Sequence, residues 1–431
     1  MTNTTSNSVD FEHPKYITHK AQVKICNDCY NGIDTVRQYL TARVNENDTD
    51  FANRQTKAIF SNYVERIVIT QAGTIFSKPV TYDEITDKTI SLLDDLDIAE
   101  FAKDSTQRAL RDGKSYILVD MGLDGSDPYF THIDRALLTN WRKDIEGNFT
   151  LAVIAEAYAV EDGFAITYEL QYRVIREDGN IEIWRKVDKT GWEIHETITT
   201  SYNFVPLYEL DISDVPPLYD IATVNINHFN AFSEKDSIIS TSTQPSFFTK
   251  GLGIGDEEQL KIGVNYTINT DNDEADVKWI ELGGQSIPFA QDDLDRKEKI
   301  MADRALQVQS ESAKAQTATQ VSIENSESTS RLSDIAQDLQ NTINRAYNAW
   351  HLMKYNQEAI GTIQIPMDFK AETVDSNIVI GLNNLVVAGN LSKRTMLEAL
   401  AKHEIIILES VDDELERIDE EFIPMDEAVA G

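Results

Sequence analysis

The sequence predicts an α+β fold, a mainly helical chain with one small antiparallel β module inserted into it. Three stretches predict this. Leu332, Ile335, Ala336, Leu339, Ile343, Ala346 and Trp350 recur at steps of three or four, which puts one apolar stripe down a helix. Phe164, Ile166, Tyr168, Leu170, Tyr172 and Val174 alternate with Ala165, Thr167, Glu169, Gln171 and Arg173. That is the period of a half-buried strand with one polar face. Pro216-Pro217 then precede a stretch from Leu218 to about Ile239 without Gly or Pro. It predicts a helix of roughly 22 residues, or ~33 Å.

Taken in order, residues 1–13 are polar and expected to fray. A helix is predicted from about Tyr16 to Leu40, with Ile25, Tyr30, Ile33, Val36 and Leu40 as its apolar members. It contains Cys26-Asn-Asp-Cys29. A metal site needs about four ligands, yet no second such pair follows and only His13 and His19 lie near, so these read as ordinary helix cysteines. Residues 51–77 predict one long second helix, with Ala58, Ile59, Tyr63, Ile67 and Val68 on one face and a stop at Gly73 and Lys78-Pro79. A third helix from about Asp97 to Arg111 closes at Asp112-Gly113. Ser115–Asp120 is an apolar run that predicts a buried strand, and Pro128–Ile133 predicts another.

From about Thr139 to Tyr208 the period is two. Glu177-Asp-Gly-Asn180 is a hairpin turn, Ile181–Trp184 the returning strand, and Thr190-Gly191 a further turn. After the proline-led helix come Pro245–Phe248, a Gly251-Leu-Gly-Ile-Gly255 turn, and strand-like pieces at Asn265–Ile268 and Val277–Leu282. Gln307–Arg331 is rich in Ser, Thr, Gln, Ala and Glu, with only Val308, Val321 and Ile323 as larger apolar residues. Such a weakly anchored segment running into a striped helix faces a cavity, a channel or a partner, or is a plain exposed linker. Residues 361–383 are mixed, and Ser392 is placed to cap a short helix ending near Ala401.

Composition bounds the function. A chain of 431 residues predicts two or three packed units, and 41% hydrophobic residues suffice for folded domains. No apolar run approaches the ~20 residues of a membrane span, and the polar start is not a secretory signal. Two cysteines exclude a disulfide framework and suit a reducing compartment. A net charge of −34 repels nucleic acid at long range and excludes dense phosphate neutralisation. Eleven acidic residues between Glu404 and Glu427 stand against Lys402 and Arg417, which predicts a solvated or partner-contacting tail.

Catalytic signatures are missing from the sequence. The Gly251–Gly255 cluster lacks the Lys-Ser/Thr of a phosphate loop, and neither GxSxG nor HExxH occurs. Asp271-Asn-Asp273-Glu-Ala-Asp276 starts like a calcium loop, but Asp276 holds the obligatory glycine position and Leu282 the terminal glutamate position. The expectation is therefore no enzyme, no metal and no cofactor, with any work on DNA driven by another protein.

Several segments in order resemble one family. They are Asn53-Arg54 with Ala58, Phe60 and Asn62; Gly73-Thr-Ile-Phe76; Ile98-Ala-Glu-Phe101; and Leu110-Arg-Asp-Gly-Lys-Ser-Tyr-Ile-Leu-Val-Asp120. Asn140-Trp-Arg142, Pro216-Pro-Leu-Tyr-Asp-Ile-Ala222 and Ala313-Lys-Ala-Gln-Thr-Ala318 follow. From about Tyr30 to Trp350 the chain resembles portal proteins of tailed bacteriophages, the order of the motifs carrying the likeness. The resemblance implies a portal-like fold with a helical wing, a long stem helix, a small β clip module and a short helical crown. On that pattern residues 1–13 are a flexible terminus, 14–135 the first part of the wing, and 136–215 the stem entry and clip. Residues 216–245 are the stem helix, 246–350 the rest of the wing with a channel-facing tunnel segment at about 300–330, and 351–431 the crown and acidic tail.

The resemblance further implies a ring of about twelve subunits at one capsid vertex of the virion. Such a ring is assembled in the host bacterial cytoplasm. Its implied partners are the terminase large subunit, the major capsid and scaffolding proteins, head-completion, adaptor and tail proteins, and double-stranded DNA passing through without sequence readout. Twelve copies carry roughly −400 charges, a field that keeps DNA off the channel wall. The candidates for brief DNA contact are Arg296, Lys297, Lys299, Arg304 and Lys314. Two other readings stand beside this one: another ring-forming head–tail adaptor, and an enzyme with an acidic metal site at Asp271 and Asp273.

Overall fold

The computed structural model describes residues 8–122, 127–187, 191–242, 246–250, 272–280, 287–306, 318–367, 369, 376–402 and 410–421. Two compact units divide the chain, Met1–Met367 and Asp368–Gly431. Among the described residues the fold is α+β, helices packed on and around small antiparallel sheets.

Helix α1 (Pro14–Asn31) starts where the sequence favours a start. Pro14 occupies the first turn and the His13 ring nitrogen Nδ1 accepts the Lys15 N–H at 3.1 Å. It ends earlier than the periodicity predicts. Gly32 takes φ of 87°, and only the short α2 (Ile33–Val36) and one tight turn (Arg37–Tyr39) follow. A left-handed residue cannot continue an α-helix, so the predicted Tyr16–Leu40 helix is cut in two.

The single helix expected over residues 51–77 is also two: α3 (Asp48–Lys57) and α4 (Tyr63–Ile75). No Gly or Pro marks the break, which tertiary contacts hold open. Asn62 caps α4 by accepting from Glu65 N–H at 3.0 Å, and its Nδ2 donates to the Tyr30 carbonyl at 2.8 Å. Asn225 donates to the Ser61 carbonyl and accepts from Tyr63 N–H, and the Phe60 ring meets Phe229 edge-on at 5.6 Å. Arg54, buried with Glu46, donates to that carboxylate at 2.6 and 2.8 Å and to the Thr41 carbonyl at 2.7 Å. One guanidinium thus closes the loop that leads into α3.

Strand β1 (Thr81–Asp83) and α5 (Asp87–Asp95) lead to α6 (Ile98–Asp112), which ends at Gly113 with φ of 83°. A side chain at Gly113 would stand 2.5 Å from the Ser213 carbonyl, so both backbone angle and space demand glycine. The chain then enters β2 (Lys114–Asp120), flanked by β3 (Tyr129–Ile133) and later by β9 (Leu207–Asp211). His132 of β3 stacks on Phe101 of α6 at 3.8 Å, and its burial pushes the imidazole down to about 4.

The inserted module is a five-stranded meander: β4 (Leu138–Lys143), β5 (Phe149–Asp162), β6 (Ala165–Arg176), β7 (Asn180–Val187) and β8 (Gly191–Thr199). Its base packs on the three-stranded sheet. Tyr116, Leu118 and Ile133 on one side meet Leu138, Phe149, Ile154, Ile175 and Ile183 on the other.

Helix α7 (Tyr219–Ser242) matches the long proline-led helix the sequence predicts. Strands β10 (Ser246–Lys250) and β11 (Asp276–Ile280) pair, and α8 (Ile287–Leu306) packs back on α7. His228 Nε2 and Glu298 Oε1 lie 3.1 Å apart across that seam. Next, α9 (Ala318–Tyr355) buries all seven residues of its predicted stripe against β2, β9, α4, α6 and β12 (Thr362–Gln364), the partner of β1. Residues 318–331 of the polar segment are thus helical. Residues 307–317, with Lys314, and also Gly251–Gly255, Asn265–Ile268 and Asp271, lie outside the described residues. No helix among the described residues is long and apolar enough to cross a membrane.

The second unit holds α10 (Ser376–Val387), α11 (Lys393–Lys402) and α12 (Val411–Glu421). Ser392 caps α11 as predicted, accepting the Thr395 N–H at 3.1 Å.

Candidate assembly interface

The long β5–β6 hairpin positions the most conspicuous surface of the protein. Register places Val153 opposite Val174, Ala155 opposite Tyr172, Ala157 opposite Leu170 and Ala159 opposite Tyr168. These residues share one face of the sheet, since side chains alternate along each strand. At its inner end the face is covered: Tyr172 is 8% exposed and packs with Val153, Val174, Val9, Trp184 and Trp192. Two residues further out the cover stops. Leu170 is 48% exposed, Tyr168 73% and Ile166 57%, and Phe164 at the tip is fully in solvent. Ile194 of β8, paired with Trp184, extends the apolar strip sideways.

The opposite face of the same hairpin is satisfied within the chain. Tyr158 donates to Glu169 at 2.7 Å, and Arg185 lies over the Tyr158 ring at 4.0 Å. Gln171 donates to Glu156 at 3.3 Å and accepts from Arg185 at 3.1 Å. Beyond Tyr172 the hairpin is therefore two-faced, with a polar, internally bonded face at Glu156, Tyr158, Glu169 and Gln171 and an uncovered, mainly apolar face at Ala157, Ala159, Tyr168 and Leu170. The sequence predicts a half-buried strand; in the single chain its outer apolar half is not buried. Burying one such Ile, Leu or Tyr contributes about 1.5–3 kcal/mol, and a contiguous uncovered face of this kind is a candidate protein contact. Alternation alone located Ile166, Tyr168 and Leu170. It missed Ala157, Ala159 and Ile194, although Val153-x-Ala155-x-Ala157-x-Ala159 carries the same period.

Four of the five proposed DNA-contact residues fall on α8. Leu294 and Met301 are buried along its seam, and Lys297 and Arg304 flank that seam. Lys297 pairs with Asp293, and Arg304 reaches Asp220 of α7 at 3.2 Å. Arg296 extends outward and pairs with Asp293 at 2.8 Å. Lys299 is exposed and has no partner among the described residues. The helix thus brings the four together but engages three of them in ion pairs. Side chains of residues 306–330 lie outside what is described.

Cys26 and Cys29 are both buried and unbridged in α1, and burial pushes the Cys29 thiol up to about 12 and Cys26 further. Thiols so protonated are inert packing groups. Asp273 sits in the turn before β11, where Asn272 accepts the Glu274 N–H at 3.0 Å. Among the described residues no group of three or more His, Cys, Asp and Glu has metal-holding geometry.

Residues 217–351 match a family described as a domain of unknown function, DUF4055. The match runs from the start of α7 through most of α9 and leaves the β module outside it. No curated protein matches the chain. Among solved structures, the chain is similar to a chain in the virion of a native gene transfer agent particle. That pair is 12% identical, with a TM-score of 0.41 over 84% of this chain and 96% of that one. A chain in the neck of the empty particle, computed with C6 symmetry, gives 12% identity and 0.41 over 84% and 94%. One in the neck of the native particle, computed with C12 symmetry, gives 12% and 0.38 over 78% and 89%.

Proposed function

We propose that this chain is the subunit of a portal ring. About twelve copies close around a channel at one capsid vertex, and genomic DNA enters and leaves through it. The observation that carries the reading is the two-faced β hairpin, whose uncovered apolar face needs a neighbour. A ring supplies one to every subunit, because rotation brings a different patch of the next copy onto the same face each time. The order of elements supports the same reading: helices, β module, a long proline-led helix, then a polar helical segment that runs into a buried keel. The terminase large subunit would dock on this ring, as would head-completion and tail proteins, and the motor would do the work.

Purified protein measured by native mass spectrometry and imaged by electron microscopy tests the reading. The expected result is a closed ring of about twelve copies with a central hole. A compact dimer with a deep pocket overturns it.

Within that reading, Arg296 and Lys299 are exposed on α8 and, unlike the exposed Arg304, are not tied to α7, so passing phosphates would touch them first. Alanine at both should lower the amount of DNA packaged while leaving the mass of the ring unchanged. Unaltered packaging removes the assignment.

A further inference from the structure

Beneath the first turns of α1 lies a cleft of about 570 Å³, walled by α1, β2, β4, β9 and the stretch after β9. Its inner charges are spent on one another. Arg135 donates to the Asp112 and Asp214 carbonyls at 2.6 and 2.7 Å. Lys114 pairs with Asp211 at 2.6 Å and Asp214 at 3.1 Å, and Lys143 pairs with Glu209. What faces the opening is different. Lys15 reaches Asp214 only at 3.6 Å, with 64% of its side chain exposed. Arg142 is exposed and has no ion pair among the described residues. Between them the floor is apolar: Leu138, Tyr16, and Trp141 held flat against the His13 ring at 3.9 Å.

We propose that this cleft docks an acidic peptide segment of a partner protein. A carboxylate of the segment would take the Arg142 guanidinium, whose planar fork suits it, with Lys15 as a second charge. An apolar side chain of the segment would lie over Trp141. Charge complementarity selects this ligand. On a chain of net charge −34 the mouth of the cleft presents cations, so it draws in an acidic segment that the rest of the surface repels. Nucleic acid fits worse, because Glu209, Asp211 and Asp214 line the same cleft, Lys20 is held by Glu12, and Arg142 with the loosely paired Lys15 is too little charge for a continuous run of phosphates. An inorganic anion leaves most of the volume and the aromatic floor unused.

The test uses a fluorescein-labelled peptide of alternating Glu and Leu, with a Gln–Leu peptide as its neutral counterpart. Full-length protein should bind the acidic peptide saturably at low salt, with quenching of Trp141, and lose affinity as salt rises. The double variant Lys15→Glu, Arg142→Glu should weaken binding by about tenfold or more. Both side chains face solvent, so circular dichroism and melting should match the parent. Four results overturn the proposal: equal binding by parent and double variant, equal binding of the neutral peptide, displacement by equimolar inorganic phosphate, or tighter binding of a single-stranded oligonucleotide.

Discussion

If the proposed ring closes through this face, replacing Tyr168 and Leu170 together with aspartate should convert it into monomers without unfolding the chain. Both side chains stand on the uncovered face of β6, 73% and 48% exposed. Each substitution removes about 1.5–3 kcal/mol of apolar burial at the contact. Each also asks a carboxylate to enter that contact without a partner, which costs more than the lost burial. In a cyclic assembly every subunit presents the same patch, so one double variant weakens all the interfaces of the ring at once. The fold should tolerate it. Tyr172, which seals the inner end of the face, is untouched, and the polar network of Tyr158, Glu169, Gln171 and Arg185 lies on the other side of the sheet. Native mass spectrometry reads the outcome, with circular dichroism as the check on folding. Glu169→Gln, on the finished face, is the control and should leave the ring intact. A ring that survives the double aspartate variant closes through some other surface.

What the sequence shows and hides follows from the range of the forces involved. The α9 stripe, the α6–Gly113 stop, the Ser392 cap and the β6 alternation are local patterns, each set by residues within a few positions of one another, and each is legible. The break at residues 58–62 is not. It is held by Asn225 and Phe229, more than 160 positions away, and by an asparagine cap that helical periodicity does not register. Gly32 was readable as a stop, but the apolar positions on either side of it conceal the interruption. Helix α8 escaped because, among its described side chains, only Leu294 and Met301 are buried apolar residues, too few to raise a stripe above a charged background. Alternation identified the apolar face of β6, but it cannot say how far along the strand the chain's own core reaches. The cleft under α1 was invisible, because its walls come from four segments that only the fold brings together. The same holds for the ion pair of Lys114 with Asp211, 97 positions away.

The second large effect is expected at Trp350, the last member of the α9 stripe. Its ring is 1% exposed and stacks with Phe130 at 6.5 Å, and its Nε1–H donates to the Pro128 carbonyl at 2.7 Å. That bond ties the end of the keel helix to the start of β3, so one side chain fixes how α9 lies across the three-stranded sheet. Trp350→Ala should cost about 3–5 kcal/mol for the cavity, with the orphaned carbonyl adding to it. For a folding unit stabilised by about 5–15 kcal/mol, that is a fifth or more of the total. Trp350→Phe keeps an aromatic stack and loses the bond, so about 1–2 kcal/mol is expected. The midpoint of urea unfolding by far-ultraviolet circular dichroism measures both, best in the Tyr168→Asp, Leu170→Asp background, where subunit contacts do not add to apparent stability. If the two variants lose equally, the bond to Pro128 rather than the filled volume holds α9 in place. If neither loses, the seven-residue stripe is redundant at its C-terminal end, and the β3 side of the sheet must be secured by α6 through the Phe101–His132 stack instead.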